Sequence, residues 1–151
     1  MNELVTFLLA AAPISEIRGA LPVAIGIFDM PVLQAYWIGV LGNIAPVFPL
    51  LMFWWYLSGF LMERAVFLNR FFNRLFDKTR VKHREKILKY GAFGLFLFVA
   101  IPLPITGAWT ATVVAFIFGI PFDKAFLAIL LGVMSAGLVV LSLTYGVIFI
   151  I

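Results

Sequence analysis

Apolar runs long enough to form membrane-spanning helices occupy most of this chain. They lie at residues 4–15, 20–28, 30–62, 91–122 and 125–151. Hydrophobic residues make up 64% of the 151 residues and charged residues only 12%, which is far outside the composition of soluble proteins. Since a bilayer core of about 30 Å needs about 20 apolar residues per helical crossing, the runs provide several crossings. The sequence therefore predicts a single-domain, all-α integral membrane protein.

Residue types needed for several kinds of chemistry are missing from the sequence. It contains no cysteine, which excludes disulfides, thiolate metal sites and cysteine nucleophiles. It shows no metal-ligand cluster and no phosphate-binding loop, and Ser15 has no histidine near it in the chain. We therefore expect neither an enzyme nor a bound cofactor. The N-terminus lacks the basic region of a signal peptide, so we expect the first apolar run to belong to the mature fold.

Positive charge is concentrated between two apolar halves. Residues 63–89 contain nine of the eleven Lys and Arg residues. The positive-inside rule predicts that this basic loop is cytoplasmic in a multi-pass protein of the cell membrane, and no nucleic-acid-binding motif accompanies it. Apolar residues at helical spacing within the loop predict an amphipathic helix in the membrane interface. Its apolar face consists of Leu68, Phe71, Phe72, Leu75 and Phe76.

The two apolar halves, residues 1–62 and 90–151, resemble each other. Both have the same order: an apolar limb, a break rich in proline and glycine, a second limb, a proline and a long apolar helix. With an offset of 88, Gly19-Ala20 aligns with Gly107-Ala108. After a gap of two residues, Pro31, Ala35, Tyr36 and Gly42 align with Pro121, Ala125, Phe126 and Gly132. Internal repeats of this kind are typical of secondary transporters.

The two breaks decide the topology. They read PISEIRGALP at residues 13–22 and PLPITGAWT at residues 102–110, and their prolines and glycines interrupt helices. A limb of about a dozen residues spans only about 18 Å as a helix. Each break is therefore either part of one broken crossing or the tip of a re-entrant hairpin, and we favour the hairpin. One hairpin and one crossing per half would invert the two halves relative to each other, with both tips near the bilayer midplane.

Glu16 and Arg18 are the leading candidates for a functional site, because charged groups inside a membrane are costly and usually pair or face a water-filled cavity. One hypothesis is that Glu16 carries a coupling proton or cation while Arg18 attracts an anionic substrate group or keeps Glu16 ionised. The alternative is a structural ion pair that connects the hairpin to the second half. The other candidate substrate- or ion-binding residues are Ser15, Gly19, Asn43, Pro102, Pro104, Thr106, Gly107, Trp109 and Thr110.

Asn43 stands apart from the two motifs. It lies beside Pro46 and Pro49 in the first long helix, which predicts a kink and a polar contact between helices. Four apolar elements per protomer enclose little volume, so we expect a homo-oligomer, most simply a dimer.

Both motifs resemble the signatures of a known family, the small multi-drug export proteins. PISEIRGALP resembles the signature P-[IV]-S-E-[LI]-R-G-[AG]-[IL]-P, PLPITGAWT resembles P-x-P-x-T-G-A-W, and the resemblance covers nearly the whole chain. That family resembles the DedA/VTT superfamily, whose members carry paired re-entrant hairpins in inverted repeats. The resemblance implies this topology here, with Glu16 and Arg18 as the acid and base of the first hairpin. Around the second prolines, where DedA proteins have arginines, this chain has Thr106 and Trp109.

Three functions remain open. The first is a DedA-like secondary transporter, coupled to protons or ions, that exports small molecules through a site between the hairpins. The second is a translocase or scramblase that moves polyprenyl phosphates or phospholipids. The third is a scaffold or assembly protein whose charges only hold the fold. The expected partners are membrane lipids, the transported small molecule, ion or lipid, and a second copy of the chain, but no nucleic acid.

Overall fold

The computed structural model describes residues 1–64, 90–103 and 106–150, and within these residues the chain is helical, with short turns and no strand. The all-α prediction is confirmed for this part of the chain. The predicted amphipathic helix, and Pro104 of the candidate site, lie outside it. The first half contains α1 (Asn2–Ala11), α2 (Glu16–Gly26), α3 (Val32–Ile44) and α4 (Val47–Arg64). The second half contains α5 (Tyr90–Ala100), α6 (Ala108–Phe118) and α7 (Phe122–Ile150).

Two segments are long and apolar enough to cross a bilayer. Val32–Phe60 has 29 residues with a mean hydropathy of 1.6, and Phe122–Val147 has 26 residues with a mean hydropathy of 2.5. The first of them is not one continuous helix, because α3 ends at Ile44 and α4 begins three residues later. Pro46 lies in this break and has no N–H with which to continue the helical ladder. The helix is therefore interrupted beside Asn43, where the prolines predict a kink.

Large apolar side chains cover the outside of the molecule. Leu8, Trp37, Phe53, Trp55 and Leu138 are examples that are exposed. An apolar surface of this extent is unfavourable in water but matches lipid tails, which are themselves apolar. With the two candidate spans, it indicates a membrane protein.

Helix α2 runs back along α1. The two helices pack on each other and are connected by four residues. The Thr6 hydroxyl, in the middle of α1, lies 3.4 Å from the sulfur of Met30, which follows α2. The Gln34 amide, at the start of α3, donates to the carboxylate of Glu3, at the start of α1. The chain therefore returns to the beginning of α1 before α3 starts.

The turns that lead into the long helix share three features in the two halves. Asp29 and Gly119 both adopt the left-handed conformation, with φ of 49° and 66°. The next residue, Met30 or Ile120, donates its backbone N–H to a carbonyl of the preceding helix at 2.9 Å in each half. A proline follows at the aligned position in each half. The sequence repeat thus corresponds to a repeat in local structure.

Close helix contacts at Gly42 and Gly132 are a second repeated feature. A Cβ atom at Gly42 would lie 2.5 Å from the backbone oxygen of Phe7 in α1. A Cβ atom at Gly132 would lie 2.6 Å from the Cβ of Val99 and 3.0 Å from the backbone oxygen of Phe96 in α5. Helix α3 therefore approaches α1 in the way that α7 approaches α5. The two glycines at these contacts, Gly42 and Gly132, are aligned with each other in the sequence repeat.

The α3–α4 segment runs antiparallel to α7. The Tyr36 hydroxyl donates to the backbone oxygen of Met134 at 3.0 Å. Further along the first segment, the ring of Phe48 lies 5.5 Å from the ring of Phe122. Contacts thus shift toward the start of α7 as the chain passes from α3 into α4. In addition, α2 packs on α7, and α6 packs on α4.

Alanine at Gly42 or Gly132 should force the packed helices apart, because the new Cβ would overlap atoms of α1 or α5. We expect each variant to lower the free energy of unfolding by about 1–3 kcal/mol. Gly146→Ala is the control, because a Cβ there meets nothing within 4 Å. The measurement is the unfolding temperature in detergent, followed by tryptophan fluorescence. Equal values for the Gly42 and Gly146 variants would contradict the close contact.

Candidate functional site

A cavity of about 430 Å³ lies where the two motifs meet. The first motif and the second motif form opposite walls. The lining residues are Pro13, Ile14, Ser15, Glu16, Arg18 and Gly19 from the first motif, and Pro102, Gly107, Trp109 and Thr110 from the second. The structure thus brings together most of the residues that the sequence suggested for a site. Of the others, Thr106 contacts Arg18, Asn43 does not line the cavity, and Pro104 is outside the described residues.

The Glu16 carboxylate is seated against the start of α6. Its side chain is only 6% exposed. The Trp109 backbone N–H donates to Oε1 at 3.4 Å, and the Ala108 N–H is also directed at the carboxylate. A Cβ atom at Gly107 would lie 2.2 Å from Oε2, so only glycine leaves room for the carboxylate there. Negative charge is favoured at this position because the positive end of the helix dipole and free N–H groups lie at a helix N-terminus.

The backbone at Glu16 is itself unusual. Its φ of 48° lies in the left-handed region, which is uncommon for residues other than glycine and costs about 1–3 kcal/mol where it occurs. Such conformations persist where surrounding contacts hold them in place. The carboxylate contact with α6 is one contact of this kind.

Arg18 contacts a different part of the second motif. One guanidinium nitrogen donates to the backbone oxygen of Leu103, and another donates to the hydroxyl of Thr106 at 3.4 Å. The third, Nε, is buried without a hydrogen-bond partner in the part of the chain that the structure describes. Glu16 therefore reaches the start of α6, while Arg18 reaches the turn before it. Both charged residues connect the first half of the chain to the second.

The second motif is held in shape by its own hydroxyl groups. The Thr106 hydroxyl lies 2.9 Å from the backbone oxygens of both Ile101 and Leu103, and its proton can be donated to one of them. The Thr110 hydroxyl accepts the backbone N–H of Gly107 at 3.0 Å, which satisfies one free donor at the start of α6. These contacts fix the turn that Arg18 binds.

Trp109 joins the first hairpin to the second motif. Its indole N–H donates to the backbone oxygen of Ala11, the last residue of α1, at 3.1 Å. A carbonyl at a helix C-terminus has no partner within its own helix, so the indole supplies one. The sequence predicts Trp109 as a site residue, but nothing in it indicates this link to α1.

The tip of the first hairpin is compact and partly exposed. The Ser15 hydroxyl donates to the backbone oxygen of Leu9, and a Cβ atom at Gly19 would lie 2.9 Å from the Cβ of Ser15. Pro13 and Ile14 also line the cavity, and Ile14 is 98% exposed. Pro13 is predicted from the sequence only as a helix breaker, and Ile14 is not among the predicted site residues. Both residues could have been predicted to line the cavity, because they belong to the same ten-residue motif as Glu16.

Asn43 is buried elsewhere, with 1% of its surface exposed. Its Oδ1 has no hydrogen-bond partner within the described residues, so the polar contact predicted for it is not made by this atom. Within residues 1–64, 90–103 and 106–150, no three His, Cys, Asp or Glu side chains lie close enough to hold a metal ion.

Helical spans, an apolar exterior and a cavity lined by both motifs define a small membrane protein with a candidate site between its two halves. Residues 16–139 match the model of the family described as "Putative small multi-drug export protein". The chain belongs to this family, which confirms the resemblance drawn from the two motifs and indicates a general transporter-type function. No curated protein and no solved structure was found to match the chain.

Gly107→Ala should displace the Glu16 carboxylate, because the new Cβ would overlap it. We expect the free energy of unfolding to fall by about 1.5–3 kcal/mol, the range for a hydrogen bond to a charged group. In a Glu16→Ala background no carboxylate is displaced, so the same change should cost much less. A double-mutant cycle of unfolding temperatures measures this difference.

The matched control for that cycle is Gly94→Ala in α5, where a Cβ meets nothing within 4 Å. It should be neutral in both backgrounds. An equal cost of Gly107→Ala with and without the Glu16 carboxylate would contradict the contact.

Proposed function

We propose that this protein is a secondary transporter for small molecules and that the cavity between the two motifs is its substrate site. The observation that carries the proposal is that Glu16 and Arg18 line this cavity from one half while the second half forms the opposite wall. Charged residues inside a membrane protein commonly mark a substrate or ion pathway. The cavity volume of about 430 Å³ also falls within the range of small-ligand pockets.

In the proposed arrangement, α1 with α2 and α5 with α6 are re-entrant hairpins. Helix α1 has 10 residues and α2 has 11, which correspond to about 15 and 17 Å, or half of a bilayer core. Because α2 runs back along α1, the pair would enter and leave the membrane by one face. Helices α5 and α6 have nearly the same lengths, which supports a second hairpin of the same kind.

The two hairpins would enter from opposite faces, as inverted repeats. Two helical segments that correspond in the sequence repeat, α3–α4 and α7, run antiparallel, as inversion requires. The packing of α2 on α7 and of α6 on α4 is the reciprocal pair of contacts expected across a two-fold axis.

A contact between corresponding residues supports the same axis. Arg18 aligns with Thr106 at the repeat offset of 88, and their side chains are 3.4 Å apart. A residue meets its own counterpart only close to a two-fold axis. For inverted repeats that axis lies in the bilayer midplane, which would place the cavity there.

Glu16 is the proposed coupling group. In its ionised form it is attracted to the N–H groups and the positive dipole end of α6. Protonation would remove that attraction and release the hairpin tip from α6. Arg18 would then be available to an anionic group of the substrate. We further propose that the basic loop faces the cytoplasm, that the protein works in the cell membrane as a homodimer, and that it is not an enzyme.

A lipid translocase is the second candidate. It is favoured by the exposed side chain of Ile14 at the edge of the cavity, because an apolar, open edge would admit a lipid tail from the bilayer. The proposed relationship to the DedA/VTT superfamily belongs with the secondary transporter, the first candidate. A scaffold function is the third, in which Glu16 and Arg18 only hold the two halves together.

Glu16→Gln should abolish coupled transport, because the amide cannot exchange a proton. We would reconstitute the protein into liposomes with a pH gradient and follow internal pH with pyranine while adding a cationic dye such as ethidium or an anionic one such as carboxyfluorescein. Wild type should show dye-dependent proton flux, and the variant none, although it elutes as a folded protein. Glu3→Gln is the control, since Glu3 is exposed in α1 and contacts Gln34 rather than the cavity.

Dye-dependent flux that persists in Glu16→Gln would remove Glu16 from the coupling step. Lipid movement without a gradient would favour the translocase. A Glu16→Gln protein that loses thermal stability and shows the same flux as wild type would favour the scaffold.

Single cysteines test the inverted arrangement, and the chain has no cysteine of its own to interfere. Gly26, at the end of α2, and Asp123, at the start of α7, lie at the turns between hairpin and long helix in the two halves. In oriented vesicles, a membrane-impermeant maleimide should label Gly26→Cys and Asp123→Cys from opposite faces. Labelling of both from the same face would mean parallel halves.

A further inference from the structure

Asn43 presents an unsatisfied oxygen inside the membrane protein. The residue is 1% exposed, and its buried Oδ1 has no hydrogen-bond partner among the described residues. Buried polar atoms nearly always have a partner, since burying one without compensation is unfavourable. In the apolar setting of α3 the missing partner has to be a donor or a cation.

Two prolines next to Asn43 remove the usual helical donors of two backbone oxygens. In a continuous helix, each backbone oxygen accepts the N–H four residues later. For Gly42 and Ala45 those residues are Pro46 and Pro49, which have no N–H. The two carbonyl groups lie immediately before and two residues after Asn43 in the chain. Asn43 Oδ1, which has no partner, and two backbone oxygens without a helical donor four residues later thus lie within about one helical turn.

The chemistry of these three groups selects the ligand. All are neutral oxygens, which suit hard cations. Divalent cations generally need carboxylates to offset their hydration, and α3 contains no Asp or Glu. Interrupted helices in transporters use unwound carbonyl groups in this way to coordinate monovalent cations. We propose that Asn43 Oδ1, with the carbonyl groups of Gly42 and Ala45, binds a monovalent metal cation, Na⁺ or K⁺.

The position of this cation site differs from that of the cavity. Asn43 lies along the chain between Tyr36 and Phe48, which contact α7 at Met134 and Phe122 respectively. A cation there would stabilise the segment through which the two halves pack. A role for this cation as a coupling ion rests on the proposed transport function. The binding of the cation at Asn43 does not.

Cation binding can be measured on the purified full-length chain in detergent. N-methylglucamine chloride is replaced stepwise by NaCl or KCl at constant ionic strength, and the unfolding temperature is followed by tryptophan fluorescence. A ligand that binds the folded state raises this temperature saturably. We expect such a rise with Na⁺ or K⁺ in wild type and its loss in Asn43→Leu, which keeps a similar size without the oxygen. Asn43→Asp should lower the half-saturating concentration by about tenfold, because it adds a negative charge.

Glu16→Gln is the control, and it should retain the cation response because its change lies in the cavity. A retained response together with a loss of dye-dependent flux would separate the two sites. The absence of a saturable Na⁺ or K⁺ response in wild type would overturn the proposal, and so would an unchanged response in Asn43→Leu. If Asn43→Leu does not fold, Asn43→Asp provides the test. A half-saturating cation concentration in that variant equal to the wild-type value would also overturn the proposal.

Discussion

The meeting of the Glu16 carboxylate with the start of α6 is the contact on which the rest of the site depends. It needs a free helix N-terminus inside the protein, and the prolines of the second motif provide one by ending α5 before α6 begins. It also needs glycine at position 107, since any side chain there would occupy the place of the carboxylate. Once this contact is made, Trp109 reaches the end of α1 and Arg18 reaches the preceding turn. The first hairpin is thus fixed to the second half at three points.

Much of this organisation could be predicted because it follows from covalent properties of single residues. Prolines and glycines interrupt helices wherever they occur, so PISEIRGALP and PLPITGAWT could be recognised as breaks without a structure. The alignment of Gly42 with Gly132 anticipated two equivalent close approaches of helices. The isolation of Glu16 and Arg18 in apolar sequence marked the cavity, since few other reasons justify charge at such a position.

The remaining features depend on how distant segments approach each other, which local patterns do not encode. The sequence suggested a Glu16–Arg18 pair because the residues are neighbours, yet each contacts its own part of the second motif. Ile14 lines the cavity only because the tip of the hairpin faces α6. Whether Asn43 finds a partner likewise depends on the helices that surround it.

If the protein is the proposed transporter, the contact between Arg18 and Thr106 has a consequence for the conformation in which it rests. Perfectly equal halves could exchange their conformations at no energetic difference, so inward-open and outward-open forms would be equally populated. Here a guanidinium occupies one of two corresponding positions and a hydroxyl the other. The exchange would therefore place the charge in a different environment, and the two forms would differ in energy. In the proposed inverted arrangement, this chemical inequality between equivalent positions gives the resting protein a preferred side of the membrane to which it opens.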